Sequence, residues 1–429
     1  MTAYDDPRIR QMAQAADQAG AAGRMDEAAA LWQQVRAMAP DHPKALFRLG
    51  QHALFKRNLQ EARTFLERAA KAAPEQAAIP LNIAYVHRAE GDSAGEMAAL
   101  TRALVIDPYF FPALLAKGML FERLGEKRHA ARVYKDALAL APPEEQLAPE
   151  TRNPVRRARD LVQENASALD SYLQERLAPL RERHVGANLA RFEQSREVAI
   201  GRRRVFTQNP SMLHVPGLPA IEFYDNADFP WIAGLEAAAG GIREELLNVM
   251  REDGADIRPY LAYPEGARAG KLAALDRSPR WSVFFLWEDG KRNDANCARC
   301  PRTAAVLDGI PMHDIAGYAP TAMFSILAPH THIPSHSSVT NARLVVHLPL
   351  IVPDGCRFRV GSETRDWHEN KAWIFDDTIE HEAWNDSADV RVILMFDVWN
   401  PFLTTAEREL VSGLLGGIRD YYQMPIPRP

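Results

Sequence analysis

The chain holds 13 histidines, and seven of them fall between His313 and His381. Two of these have a setting that could do chemistry. His336 lies in PSHSSVTNARLVVHL, just before a strand-like run, and His381 lies in FDDTIEHEAWN, just after one. Side chains at strand ends can project into a barrel mouth, where small-molecule sites commonly lie. Imidazole nitrogens suit iron(II), and oxygen chemistry needs a metal with open coordination positions. The usual non-haem iron site adds a carboxylate to two histidines, placed two residues after the first. Here that position is Ser338. The residues alone leave two readings open: a metal site, or histidines satisfied by ordinary hydrogen bonds.

Other residues gather around this pair. Arg391 lies ten residues after His381, in a run that otherwise reads apolar. A buried arginine needs a partner, which would be either a bound carboxylate or a structural aspartate. Asp377 precedes His381 in a DDxxxH pattern. It could accept from a metal-bound water, or serve only as a turn acid at a strand end. His330 and His332 lie close enough to His336 to line a pocket, or to bond loop backbone. Cys297 and Cys300 form a lone CxxC; no second pair exists to complete a zinc site, so it reads as a local structural feature or an oxidisable pair. The tryptophans Trp281, Trp287, Trp367, Trp373, Trp384 and Trp399 read as core rather than substrate platforms.

The elements that must position these residues begin near Arg204. Segments 281–287, 342–352, 356–360, 372–377 and 390–399 are strand-length and rich in β-branched and aromatic residues, with Gly, Pro, Asn and Asp between them. Many short strands at this spacing predict an antiparallel sandwich or jelly roll, preceded by a helix over 233–250. Residues 143–203 differ: Pro142, Pro143, Pro149 and Pro154 break what precedes, and a charged run with spaced leucines predicts an amphipathic connecting helix.

The N-terminal third is periodic. Ala39-Pro40, Ala73-Pro74, Asp107-Pro108 and Ala141-Pro142 recur every 34 residues. Gly50, Ala84 and Gly118 keep the same register, as do Gly23, Arg57, Gly91 and Gly125, which fall where a turn should. Small residues let paired helices approach, and the prolines end one unit and start the next. This pattern resembles the tetratricopeptide repeat family, with four helix pairs over roughly residues 7 to 142. The resemblance implies an all-α superhelix with a surface for a peptide or protein partner. A supporting or self-associating role is the alternative. The expected division is a repeat domain over 1–142, a helical linker over 143–203 and a β-rich domain over 204–429.

Composition narrows the functional classes. With 47% hydrophobic and 25% charged residues and a net charge of -5, no basic run is long enough to track a phosphate backbone, so nucleic acid is not expected as a partner. The start, MTAYDDPRIR, has no apolar core of a signal peptide, and no stretch of eighteen apolar residues predicts a membrane span. Three cysteines are too few for a disulfide framework, which suits a cytoplasmic setting.

The segment from Ser325 to Pro401 resembles the aspartyl/asparaginyl β-hydroxylase family of 2-oxoglutarate oxygenases. The matching text is FSILAPHTHIPSHSSVTNARLVVHLPL, then GCRFRVGSETRDWHENKAWIFDDTIEHEAWN, then VRVILMFDVWNP. Weaker similarity begins at GLPAIEFYDNADFPW. The resemblance implies a double-stranded β-helix (jelly-roll) oxygenase domain with flanking helices. It makes His336 and His381 the ligands of iron(II) with no protein carboxylate, so Ser338 is in keeping. It assigns Arg391 and Ser325 to one carboxylate of 2-oxoglutarate and His347 to the other end, where a core histidine bonded to backbone is the alternative. Oxygen and 2-oxoglutarate are then the cosubstrates. The implied product is hydroxylated at an unactivated carbon, first of all the β-carbon of Asp or Asn in a peptide or protein recruited by the repeats. The family often carries a basic residue two positions before His347; Val345 stands here and leaves room for a free amino acid, a small metabolite or a lipid. A non-catalytic repeat scaffold is the reading from another class, opposed by the intact His336, His381 and Arg391. The missing carboxylate also occurs in iron halogenases, which this resemblance does not favour.

Overall fold

In the computed structural model, which describes residues 6–252, 256–264, 266, 270–315 and 317–422, eight helices come first and pack in consecutive pairs. They are α1 (Pro7–Ala21), α2 (Met25–Met38), α3 (Pro43–Phe55), α4 (Leu59–Ala72), α5 (Ala78–Glu90), α6 (Ser93–Ile106), α7 (Phe111–Arg123) and α8 (Lys127–Leu140). Residues 1–5 and 423–429, at the ends of the expected domains, lie outside the described residues. The four turn positions of the 34-residue register all have positive φ: 76° at Gly23, 64° at Arg57, 77° at Gly91 and 77° at Gly125. Glycine adopts this backbone without steric cost, and Arg57 holds it against one. At the small positions, a Cβ on Gly118 would stand 2.3 Å from the Tyr134 ring, and one on Gly50 2.7 Å from Leu66 Cγ. The register therefore sets the distance between helices within each pair.

The segment expected as a connecting helix is α9 (Pro149–Glu182), followed by α10 (Ala190–Ala199). Val155, Ala158 and Leu161 of α9 bury against Leu115, Ala131 and Tyr134, closing the end of the repeat core. Pro154 does not break the helical course as expected. It lies in the second turn of α9, where only one backbone hydrogen bond is lost. The chain divides into two compact units, Met1–Arg202 and Arg203–Pro429.

The second unit opens with α11 (Ile232–Arg251). Then come β1 (Arg258–Pro259), β2 (Trp281–Glu288), β3 (Lys291–Arg292), α12 (Asp294–Arg299) and α13 (Pro301–Asp308). Eight strands follow: β4 (Ala322–Leu327), β5 (Thr331–His336), β6 (Arg343–Ile351), β7 (Cys356–Val360), β8 (Glu363–Asp366), β9 (Trp373–Phe375), β10 (His381–Asn385) and β11 (Arg391–Trp399), and α14 (Thr405–Tyr422) ends the fold. β4 pairs with β11, β5 with β10, β6 with β9 and β7 with β8, all antiparallel. This is one long hairpin wound over itself. It yields two sheets, β1-β2-β4-β11-β6-β9 with β3 on the edge of β2, and β5-β10-β7-β8. The arrangement is a jelly roll.

Alternation decides what faces where. Leu344, Val346 and Leu348 of β6 and Val392, Leu394 and Phe396 of β11 turn outward onto Leu235, Ile242 and Leu246 of α11. The residues between them, among them Arg343, Val345, His347, Arg391, Ile393 and Met395, line a cavity between the sheets. The helix thus covers one face of the larger sheet and leaves the other for the site.

Candidate active site

His336 is the last residue of β5 and His381 the first of β10, and the two are direct cross-strand partners. Their ring centroids lie 4.2 Å apart. Simple alternation would not put His336 here. His381 and Ala383 are two residues apart, yet they pair with His336 and Ile333, which are three apart. The extra residue is a bulge that turns His336 onto the same face as Ile333. The sequence reading had His336 before a strand and His381 after one; both instead lie on paired strands of the smaller sheet. Pro334 and the polar face of these strands hide them from a pattern search.

Each ring is oriented by the backbone: Nδ1 of His336 lies 2.8 Å from the Pro334 carbonyl and Nδ1 of His381 lies 3.0 Å from the Ile379 carbonyl. Both nitrogens are thereby donors, which leaves an Nε2 lone pair on each ring. Burial pulls both imidazoles down, His336 to about 3 with help from neighbouring His381, and His381 to about 4. Burial thus favours the neutral imidazole, the form that a metal ligand needs. Among the described residues no cluster of three His, Cys, Asp or Glu that could hold a metal forms.

The other expected residues line the same cavity. Arg391 is 2% exposed, its Nε and Nη1 have no hydrogen-bond partner, and no ion pair engages it among the described residues. No aspartate pairs with it among the described residues. Its guanidinium lies 4.8 Å from the Trp367 ring, and burial lowers it to about 10. Ser325, on the neighbouring strand β4, accepts from Trp281 Nε1 at 3.1 Å. His347 is buried among Phe358 and Phe375, its Nδ1 has no partner, and burial holds it well below its ordinary pKa. No backbone group among the described residues bonds this Nδ1.

Asp377 pairs with Arg343 at 2.8 Å while its Oδ1, buried, has no partner. Arg343 was not singled out in the sequence. It lies inside the expected strand, two residues before Val345 on the same face, and that alternation was the available signal. Its guanidinium donates to Ser338 Oγ at 2.7 Å, to Asp377 at 2.8 Å and to Asp397 at 3.1 Å. Burial opposes its charge, but Asp377 and Asp397 hold its pKa above the ordinary value.

Two readings resolve away from chemistry, and a third does so only in part. His330 and His332 do not line the cavity; His332 stacks on Trp384 with centroids 5.0 Å apart and bonds Glu382. Cys297 and Cys300 are free and buried, Cys297 donates to the Leu286 carbonyl, and burial raises both thiols, Cys300 to about 12. Such thiols are unreactive and structural. Of the six tryptophans five are buried, and Trp281 and Trp367 also touch the polar groups of the site.

The fold and this cavity define a jelly-roll domain with a paired-histidine site and an unpartnered arginine. Comparison with known proteins goes a step further. A match described as Aspartyl/Asparaginyl beta-hydroxylase spans residues 236–401, and tetratricopeptide repeat matches span 21–79 and 54–109. The chain is 34% identical over 209 residues to the Aspartyl/asparaginyl beta-hydroxylase of Homo sapiens, covering 48% of this chain and 26% of that one. To the Mus musculus protein of the same name it is 27% identical over 435 residues, covering 95% and 57%. To the Ornithine lipid ester-linked acyl 2-hydroxylase of Rhizobium tropici it is 37% identical over 186 residues, covering 43% and 62%. The matches thus span from about a quarter to three-fifths of these relatives' lengths. The C-terminal part of the chain carries a domain of the aspartyl/asparaginyl β-hydroxylase family, an oxygenase family, and tetratricopeptide repeats precede it. No helix among the described residues is long and apolar enough to cross a membrane.

Proposed function

We propose that the C-terminal domain is an iron(II)- and 2-oxoglutarate-dependent hydroxylase. His336 and His381 hold the metal through Nε2. Arg391, with Ser325 beside it, grips the distal carboxylate of 2-oxoglutarate, and His347 faces its other end. When bound, iron supplies the oxygen chemistry: 2-oxoglutarate and O2 give succinate and carbon dioxide, and one oxygen atom enters an unactivated C–H bond. The protein orients these partners and keeps water out.

The observation that carries this reading is Arg391. A guanidinium 2% exposed, with two nitrogens unsatisfied, is costly unless a carboxylate arrives. Its planar fork matches a carboxylate in a two-bond contact. Asp377 Oδ1 is a free acceptor, suited to hold a water or a ligand proton beside the metal. The repeats supply a surface for a peptide or protein. The Asp/Asn β-carbon of such a partner is the substrate that the relatives' commonest name suggests, and an acyl chain is what the Rhizobium tropici name suggests. Three free, buried cysteines suit a reducing, cytoplasmic compartment.

The test is anaerobic addition of iron(II) and 2-oxoglutarate to the full-length protein, followed by exposure to oxygen. The wild type takes up iron(II) and forms succinate, and His381→Ala loses both. Absence of iron(II) uptake by the wild type would refute the assignment.

A further inference from the structure

The hydroxylase reading leaves the substrate's chemistry open, and the charges around the cavity narrow it. Among the described residues two arginines line the wall. Arg391 is taken by 2-oxoglutarate. Arg343 already donates to Asp377, Asp397 and Ser338. Apart from the site histidines His336, His347 and His381, the wall's remaining ionisable groups are the phenols Tyr260 and Tyr318 and half-buried Asp289, none of them a fixed cation. A carboxylate brought to the reacting position would be buried beside aspartates with no cation of its own, which costs several kcal/mol. Much of the remaining wall is hydrocarbon: Val345, Met395, Met323, Ile393 and Phe285.

A second cleft lies on the other side of His336, which lines both spaces. Its walls are Arg204, Phe206, Thr207 and Asn209 on one side and Lys271, Ser335, Ser337 and Glu380 on the other. Arg204 lies over the Phe206 ring at 4.9 Å and has no ion pair among the described residues. Lys271 is likewise without an acidic partner and donates to Ser335 Oγ at 2.8 Å. The carboxylate of Glu380 is engaged by Arg359 at 3.0 Å. The first wall is built rather than loose. Gln208 donates to Asp376 at 2.6 Å, Asn209 N to the Thr378 carbonyl at 2.8 Å, and Ser337 Oγ to the Asn209 carbonyl at 3.0 Å.

We propose that the substrate is an anionic amphiphile: its hydrocarbon chain enters the cavity wall around Val345 and Met395, and its negative group is held in the outer cleft by Arg204 and Lys271. The proposal rests on the hydroxylase reading and deepens it. Phosphate and carboxylate headgroups share this chemistry, so dodecyl phosphate and dodecanoate serve as probes, with dodecanol as the neutral control. Binding is measured by calorimetry below the micelle concentration, on full-length protein loaded with manganese(II) and 2-oxoglutarate to prevent turnover. Both anions bind more tightly than dodecanol, and the stronger of them identifies the headgroup. The double variant R204A/K271A weakens the anions by about thirtyfold, at about 1 kcal/mol per surface cation, and leaves dodecanol where it was. Val345→Arg places a charge in the hydrocarbon wall and weakens all three. Equal affinity for anion and alcohol, or an unchanged anion affinity in the double variant, would overturn the proposal. So would an Asp-containing peptide that stimulates succinate formation while none of the amphiphiles does. If the wild type fails to take up metal or 2-oxoglutarate, the hydroxylase reading falls as well. Intact cofactor uptake with no preference for the anions sinks this proposal alone.

Discussion

Replacing Arg391 by methionine should make the protein more stable and less able to use 2-oxoglutarate. Burial lowers this guanidinium from its ordinary 12.5 to about 10. A cation whose folded pKa lies below its unfolded one is held less tightly by the folded state. The penalty is therefore fully present at neutral pH and fades only as the pH climbs past 10 toward 12.5. That displacement corresponds to roughly 3 kcal/mol of lost stability. Methionine removes the charge and keeps most of the volume, but it forfeits the contact with Trp367, worth up to about 2 kcal/mol when desolvated. The net gain is about 1–3 kcal/mol, which raises the melting temperature of the ligand-free domain by roughly 2–4 °C per kcal/mol at this size. Affinity moves the other way. Two charge-assisted hydrogen bonds are lost, at about 1.5–3 kcal/mol each, so the 2-oxoglutarate requirement rises by about two orders of magnitude or more. Differential scanning fluorimetry reads both effects, because 2-oxoglutarate raises the melting temperature of the wild type and not of the variant. A ligand-free Arg391→Met that melts lower, with 2-oxoglutarate affinity within threefold of wild type, would show that the guanidinium serves structure and that the site assignment is wrong.

Two further perturbations test the framework. Burial lifts Asp376 from 3.8 to about 6 against the hydrogen bonds it accepts from Thr378 and Gln208. The folded state holds this proton more tightly, so its favourable contribution is full below pH 4 and lost as the pH rises through 6. The urea stability of Asp376→Asn relative to wild type should therefore improve by up to about 3 kcal/mol between pH 4 and pH 7; a flat difference would mean that Asp376 does not titrate there. Gly118→Val sets a Cβ where the Tyr134 ring lies 2.3 Å away. It should destabilise the repeat unit by about 1–3 kcal/mol, seen as a lower melting step with iron(II) uptake intact, and a variant melting like wild type would remove the close-approach argument.

What could be read in the sequence follows from how each element is buried. The repeats were legible because one register fixes both the helix approach at Gly50 and Gly118 and the positive-φ turns at Gly23, Gly91 and Gly125. β6 and β11 were legible because both faces are buried, one under α11 and one on the cavity, so apolar residues run almost continuously, interrupted by the cavity-facing Arg343, His347, Arg391 and Asp397. β5 and β10 were not. They carry one exposed face, a proline and two histidines, and their register contains a bulge. The bulge is what brings His336 to His381, and no alternating pattern encodes it. Arg391 was recognisable as an anomaly in an apolar strand. Arg343 was passed over because it lies second in the expected strand 342–352, and a charge so near a strand end is ordinary. Its partners, Asp377 and Asp397, are 34 and 54 residues away.

The charges of the cavity explain why Val345 matters. Arg343, Arg391, Asp377 and Asp397 all line it, and their formal charges cancel, while half-buried Asp289 adds one negative charge. The divalent cation and the dianion proposed to bind there cancel as well. With both cosubstrates in place the lining thus carries no surplus positive charge, and an acidic substrate group would add an uncompensated charge unless the chain added a cation to meet it. The position two residues before His347 faces the cavity and would be the place for that cation. A valine there, 6% exposed, adds hydrocarbon instead. Freeing Arg343 would supply a positive charge, but that strands Asp377 and Asp397 in the interior at about 3–5 kcal/mol. A negative group on the substrate is therefore met outside the cavity, where Arg204 and Lys271 stand without acidic partners among the described residues, or it is not met at all.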